Sequence, residues 1–210
     1  MKTTDAFWDK HAEGYAKRPI KDMPAYEQTL AHVRRHLTSA DKVVELGCGT
    51  GSTALLLADG VASMTGTDIS EKMIGIANGK VADQQVDNVQ FVQSDASCTT
   101  LPAAGYDAVL AFNLIHLLTD IPAAARSARR LLKPGGLFIS KTPCLARANR
   151  FLPALIWVMR KVGYAPYVGI LSVEGLERDI ASAGFEIVET AFYPAKSSSR
   201  FIVARRLEDH

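Results

Sequence analysis

From residue 42 onward, short runs of β-branched and apolar residues alternate with segments whose apolar positions recur at helical spacing. That alternation builds a parallel sheet covered on both faces by helices. The predicted strands are Lys42 to Leu46, Ser63 to Asp68, Val89 to Gln93, Asp107 to Phe112 and Leu137 to Lys141. The clearest intervening helix is Asp120 to Lys133, where Ile121, Ala124, Ala125, Ala128, Leu131 and Leu132 share one face and Arg126, Arg129 and Arg130 point away. Pro122 near its start and Pro134-Gly135-Gly136 after its end supply start and stop signals. Two amphipathic segments precede the first strand: Trp8, His11, Ala12 and Tyr15 share a face, as do Tyr26, Leu30, Val33 and Leu37. After the fifth strand come an apolar stretch from Phe151 to Val162, a loop from Gly163 to Gly169 and a helix near Val173 to Ala183. Two last strands follow, Glu186 to Phe192 and Arg200 to Ala204, joined as an antiparallel hairpin through the turn-prone Pro194 to Ser199.

Composition narrows the class. A chain of 210 residues, 48% hydrophobic, fits one α/β domain better than two. Lysine and arginine total 24 against 22 acids, too small an excess for a nucleic-acid backbone to be the expected partner. The polar N-terminus lacks the apolar core of a signal peptide, and no window approaches the ~18 apolar residues of a spanning helix, so a cytoplasmic location is expected. Cys48, Cys98 and Cys144 are odd in number and far apart, which suggests neither a disulfide framework nor a zinc site. Cys48 has no base near it in sequence and reads as a small residue in a tight turn rather than a reactive thiol.

The strongest local signal is Val43-Val44-Glu45-Leu46-Gly47-Cys48-Gly49-Thr50-Gly51, a strand running into three alternate glycines and then a helix starting near Ser52. A turn without Cβ atoms lets backbone approach a ligand and aims the helix N-terminus at it. Thr65-Gly66-Thr67-Asp68 then ends the second strand on a carboxylate about twenty residues after the first glycine, where an acid can accept both hydroxyls of a ribose. The third strand delivers Asp95 to the same carboxyl edge, where open α/β sheets bind ligands. Each piece has a plainer reading: many α/β proteins carry a glycine turn, Asp68 could cap the next helix, and Asp95 could be a solvated loop acid.

In this order, VVELGCGTG, TGTDIS, FVQSDA, YDAVLAFNLIHLL and LLKPGGLFIS resemble the class I S-adenosyl-L-methionine methyltransferases, particularly the small-molecule branch of ubiquinone and menaquinone biosynthesis. The resemblance covers roughly Phe7 to Lys141. It implies a Rossmann-like seven-stranded mixed sheet of order 3-2-1-4-5-7-6, last strand antiparallel, with helices on both faces and N-terminal lid helices. It divides a single domain into lid helices over residues 1–40, a cofactor-binding core over 41–141, a substrate-side insertion over 142–172, and a C-terminal helix and hairpin over 173–206. Gly47, Cys48, Gly49 and Gly51 would wrap the methionine part of S-adenosyl-L-methionine, with Glu45 organising the loop or reaching the amino group through water. Asp68 would hold the ribose, Ile69 and Met73 would pack on the adenine, Asp95 and the Ala96 amide would read its edge, and Asn113 would approach the methionine amino group. Tyr15 would be a lid contact and Arg18 a partner for the cofactor carboxylate. The product would be S-adenosyl-L-homocysteine.

Two rivals stay open. A nicotinamide-dependent reductase uses the same strand, turn and acid, but asks for G-x-G-x-x-G where this chain has G-x-G-x-G followed by Ser52. A cofactor-binding regulatory or partner protein without turnover would keep every donor motif. Methyl transfer from a sulfonium needs alignment and exclusion of water, and a base only if the acceptor must lose a proton. His116, in NLIHLL after the fourth strand, is the candidate base; packing or cofactor contact is its plainer role. No metal is required. The acceptor is expected to be a small, apolar molecule walled by Trp157, Met159, Tyr164 and Tyr167 of the insertion, unless these residues simply pack its helix on the sheet. Arg147, Arg150, Arg160 and Lys161 around the same apolar stretch permit peripheral contact with an anionic membrane. Monomer and homodimer both fit.

Overall fold

The computed structural model describes residues 4–146, 152–162 and 164–208; Arg147, Arg150 and Phe151 lie outside them. Two helices, α1 (Thr4–Ala16) and α2 (Met23–Arg34), precede a seven-stranded sheet. The strands are β1 (Lys42–Leu46), β2 (Ser63–Asp68), β3 (Val89–Gln93), β4 (Tyr106–Phe112), β5 (Leu132–Pro143), β6 (Phe185–Phe192) and β7 (Ser199–Arg206). Between them lie α3 (Ser52–Leu57), α4 (Glu71–Gln84), α5 (Ile121–Leu131), α6 (Leu152–Lys161) and α7 (Val173–Ser182). The sheet order is β3-β2-β1-β4-β5-β7-β6, with β7 antiparallel to both β5 and β6, as the resemblance implies. Among the described residues no helix is long and apolar enough to cross a membrane.

Strand side chains alternate between two cores because the pleat has period two. Val44, Val109, Phe138 and Ile202 face α5 and α7, meeting Ala125, Leu131, Leu176 and Ile180. Val43, Ala108, Ile139 and Val203, one residue away in each strand, face the opposite side with Leu30 and Val33 of α2, Leu57 of α3 and Ala77 of α4. The helices begin on capping side chains: Asp22 accepts the Ala25 N–H, Ser70 that of Met73, Asp120 that of Ala123 and Ser172 that of Gly175.

One expected element changes character. The helix predicted to run to Lys133 stops at Leu131, because Leu132 adopts an extended conformation and pairs with Tyr106 of β4. Pro134-Gly135-Gly136 therefore lies inside β5 as an irregularity, with Gly135 at φ +75°, and regular pairing resumes at Leu137 opposite Ala108. Leu132 is fully buried in the strand, and an apolar residue suits a buried strand as well as the inner face of a helix, which is why its character could not mark the boundary.

Phe91 of β3 fills the space left by two glycines. A Cβ on Gly66 of β2 would lie 2.3 Å from its ring, and one on Gly51 would lie 2.4 Å from it. Gly66→Ala should cost about 1–3 kcal/mol by overpacking, and Gly66→Ala/Phe91→Leu should recover part of the loss. Urea denaturation of the three variants measures the coupling; strictly additive losses would show that the ring is not the obstacle.

Candidate functional site

The carboxyl ends of β1, β2 and β4 carry the loops in which most of the expected site residues sit. After β1 the chain turns through Gly47, Gly49 and Gly51 at φ +65°, +54° and +77°, values that strain any side chain with a Cβ. Packing also fixes the glycines at the ends of this loop. A Cβ on Gly47 would approach Leu114 to 2.7 Å, whereas one on Gly49 would face the Tyr15 ring at 3.5 Å. The Cys48 N–H donates to Thr67 O, and burial drives its thiol far above the ordinary range, which fits a structural thiol. Lys80 of α4 donates through Nζ to Thr50 O and to the Thr50 and Ser52 hydroxyls, closing the loop from behind.

Asp68 joins this loop to the next. Its Oδ2 accepts the Gly49 N–H at 3.0 Å and its Oδ1 the Ser70 N–H at 2.9 Å. Burial raises its pKa, while those backbone donors oppose the rise. The Ser70 hydroxyl in turn donates to Asp9 of α1 at 2.6 Å, and the Lys72 N–H donates to the same oxygen. The first helix is thereby held across the mouth of the site.

Two cavities meet over the glycine loop. The smaller, about 140 Å³, is lined by Gly47, Gly49, Asp68, Ile69, Met73, Ala96 and Asn113, with Thr4, Trp8 and Tyr15 of α1 above. The larger, about 470 Å³, takes in Arg18, Glu45 and Cys48 and then continues past α2 to Lys141 and to Tyr193, Ser197 and Ser199 between β6 and β7. Tyr15, Gly47, Phe112 and Asn113 line both. Eleven of the thirteen residues expected around the cofactor therefore reach a cavity; Gly51 and Asp95 do not. Gly51 turns the chain beneath the loop against Phe91, and Asp95 accepts the N–H and hydroxyl of Ser97 while its neighbours Ser94 and Ala96 line the smaller cavity.

The expected acceptor side lies elsewhere. Trp157 and Tyr164 are 61% and 75% exposed, and neither they nor Met159 nor Tyr167 lines either of these two cavities. Arg160 instead lies over the Tyr167 ring and Lys161 over the Trp157 ring. The reason is geometric: β5 continues to Pro143, and α6 follows as a helix with no buried side chain. The larger cavity is closed by α2 and by the β6–β7 turn. His116 also lines neither cavity; its Nδ1 is buried without a hydrogen-bond partner among the described residues, and burial lowers its pKa. Sequence reasoning missed Trp8, Lys141 and Tyr193 as site residues. Trp8 was visible as a lid-helix aromatic, whereas Lys141 and Tyr193 need the strand order to be brought together.

Residues 43–136 match the family model described as a methyltransferase domain. The 27-O-demethylrifamycin SV methyltransferase of Amycolatopsis mediterranei is 32% identical over 71% of this chain and 56% of its own length. A ubiquinone biosynthesis O-methyltransferase of Coxiella burnetii is 31% identical over 53% of this chain and 48% of its own. The chain thus spans about half the length of these curated relatives. Among solved structures, an S-adenosylmethionine-dependent methyltransferase from Mesorhizobium loti superposes with a TM-score of 0.72 at 19% identity, over 87% of this chain and 98% of that one, a likeness of fold. The matched span contains the glycine loop, Asp68 and Asn113, whereas α1, α2, Lys141 and Tyr193 fall outside it.

At the floor of the larger cavity Glu45 is buried, its Oε2 without a hydrogen-bond partner among the described residues, and burial pushes its pKa up to about 8 against an opposing backbone hydrogen bond from Ala54. The folded protein then holds a proton that the unfolded chain releases near the ordinary glutamate value. Stability without ligand should therefore fall as pH rises from about 5 to about 8 and level off above. In Glu45→Gln that fall should flatten. Urea denaturation from pH 5 to 9 tests it, and identical slopes in the two proteins would place the ionisation elsewhere.

Proposed function

We propose that the chain is an S-adenosyl-L-methionine-dependent methyltransferase that acts on a small molecule with an apolar body. The observation that carries the reading is the pair of cavities meeting over the glycine loop, one with the chemistry of a nucleoside site and one open to a second ligand. In the first, Asp68 keeps acceptor capacity for ribose hydroxyls beyond its two backbone bonds, and Ile69, Met73 and Trp8 give an apolar surface for a base. In the second, the unpartnered Glu45 Oε2 fits a cationic donor, since a cation beside it offsets the cost of its buried charge. The cofactor supplies an electrophilic methyl group and leaves as a neutral thioether. The chain's own task is to align the acceptor and exclude water, which Tyr15, Phe112, Ile20 and Leu30 around the junction and the larger cavity favour.

A nicotinamide reductase accounts less well for these features. Its six-stranded parallel order lacks the antiparallel strand inserted between β5 and β6, and its fingerprint lacks the glycine at position 51. His116 has no place in this proposal as the base, because it does not line the cavity. The exposed α6 supports a peripheral contact with an anionic membrane: Leu155, Trp157 and Val158 are at its surface and Arg160 and Lys161 end it. Sedimentation with phosphatidylglycerol vesicles, but not phosphatidylcholine vesicles, should capture the protein, and Trp157→Ala/Arg160→Ala/Lys161→Ala should release it.

Calorimetric titration with S-adenosyl-L-methionine, S-adenosyl-L-homocysteine and NADH tests the donor. Micromolar binding of the first two alone is expected. Asp68→Ala should weaken it by about 1–3 kcal/mol, with Asp68→Asn, which keeps one backbone contact, in between. Binding of NADH, or unchanged affinity in a folded Asp68→Ala, would overturn the assignment.

A further inference from the structure

Lys141 occupies a position where the sheet's pattern calls for an apolar residue. It lies in β5 two places after Ile139, on the same face, between Phe112 of β4 and Phe201 of β7, and lines the larger cavity. Its half-buried ammonium donates to the Thr29 hydroxyl at 2.7 Å, and that hydroxyl passes its own proton to the Ala25 carbonyl at 2.7 Å. Thr29 is 4% exposed and fixed in α2, so one of the three ammonium N–H groups has a rigid acceptor. The other two have no partner among the described residues, and no carboxylate lies within ion-pair distance. Asp22, one of whose oxygens caps α2 through the Ala25 N–H, acts on it as an opposite charge outside ion-pair distance. Burial lowers the Lys141 pKa and outweighs that opposing charge, as expected of a cation whose water has been removed without a directly paired carboxylate.

The rest of the cavity sharpens what would complete that site. Glu45 sits at its other end, under the glycine loop, and Arg18 belongs to the exposed link after α1. Around Lys141 stand Phe112, Tyr26 and Tyr193 as aromatic walls, with Ser197 and Ser199 as additional hydroxyl donors. Tyr193 is held there by its ring contacts with His32 at 4.3 Å and Phe201 at 5.3 Å. Two free N–H groups on a single cation match a monoanion with two oxygens better than a phosphate dianion, which would call for further cations.

We propose that the acceptor bears a carboxylate on a flat apolar body, and that Lys141 is the residue that binds that carboxylate. The inference rests on the methyltransferase reading only in taking this ligand to be the methyl acceptor; the anion site itself stands on the cavity and its charges. It also accounts for a cavity in which the aromatic rings of Tyr26, Phe112 and Tyr193 share the lining with a single half-buried lysine.

Saturation-transfer NMR titrations of 2-naphthoate and 2-naphthamide test it, on the full chain with and without S-adenosyl-L-homocysteine. The acid should bind about tenfold or more tightly than the amide, the range of a charge-assisted hydrogen bond. Lys141→Met, which keeps the apolar stem, should abolish that preference, while Lys141→Arg should keep much of it. Thr29→Val should weaken it, by freeing the ammonium from its anchor. Equal binding of acid and amide, a preference that survives Lys141→Met, or no binding of the acid would each overturn the proposal. S-adenosyl-L-homocysteine binding in Lys141→Met is expected unchanged, so failure of the donor reading and failure of the anion site show up in separate titrations.

Discussion

The carboxylate of Asp68 holds two backbone N–H groups that belong to different loops, and the geometry of the site follows from that fork. One oxygen sets the middle of the glycine turn and the other the entry to α4. Because Ser70 then passes a hydrogen bond to Asp9, α1 is tied through two side chains to the same turn. Loop, second strand and lid thus share one line of polar contacts at the edge of a sheet whose two faces are otherwise apolar. The aspartate that a nucleoside would use is therefore also a structural residue, which is why its replacement disturbs more than a single ligand contact.

Charge is distributed unevenly inside the larger cavity. Glu45 at one end and Lys141 at the other are both taken from water, yet they do not neutralise each other, and each keeps unused hydrogen-bonding capacity. A folded chain tolerates such groups when the rest of its core offsets them, here two apolar layers on a seven-stranded sheet. The cation of a donor beside the acid and the anion of an acceptor beside the lysine would remove both costs at once.

The fold was legible in the sequence because its information is local. Val43 and Val44 alternate between the two cores, Pro122 and Asp120 start α5, and the glycine turn and Asp68 lie within one βαβ segment. Where reading failed, a local signal had two meanings. Pro134-Gly135-Gly136 looks like a helix stop but interrupts the pairing of a strand, and the apolar Leu132 before it fits a buried strand as well as a helix face. The aromatics of the insertion resemble the wall of a pocket, and the length of β5 carries them past it. Lys141 and Tyr193, by contrast, are neighbours only because β7 inserts between β5 and β6, an arrangement that no window of sequence contains.

Tyr15 is the one lid-helix residue that borders both cavities. In the proposed reading donor and acceptor both meet this ring, so the two sites would be linked through a single side chain, and the linkage would be reciprocal: whatever factor the donor contributed to acceptor affinity, the acceptor would return to the donor. One aromatic ring at the end of a thirteen-residue helix would then be enough to make the binding of two chemically unlike molecules cooperative.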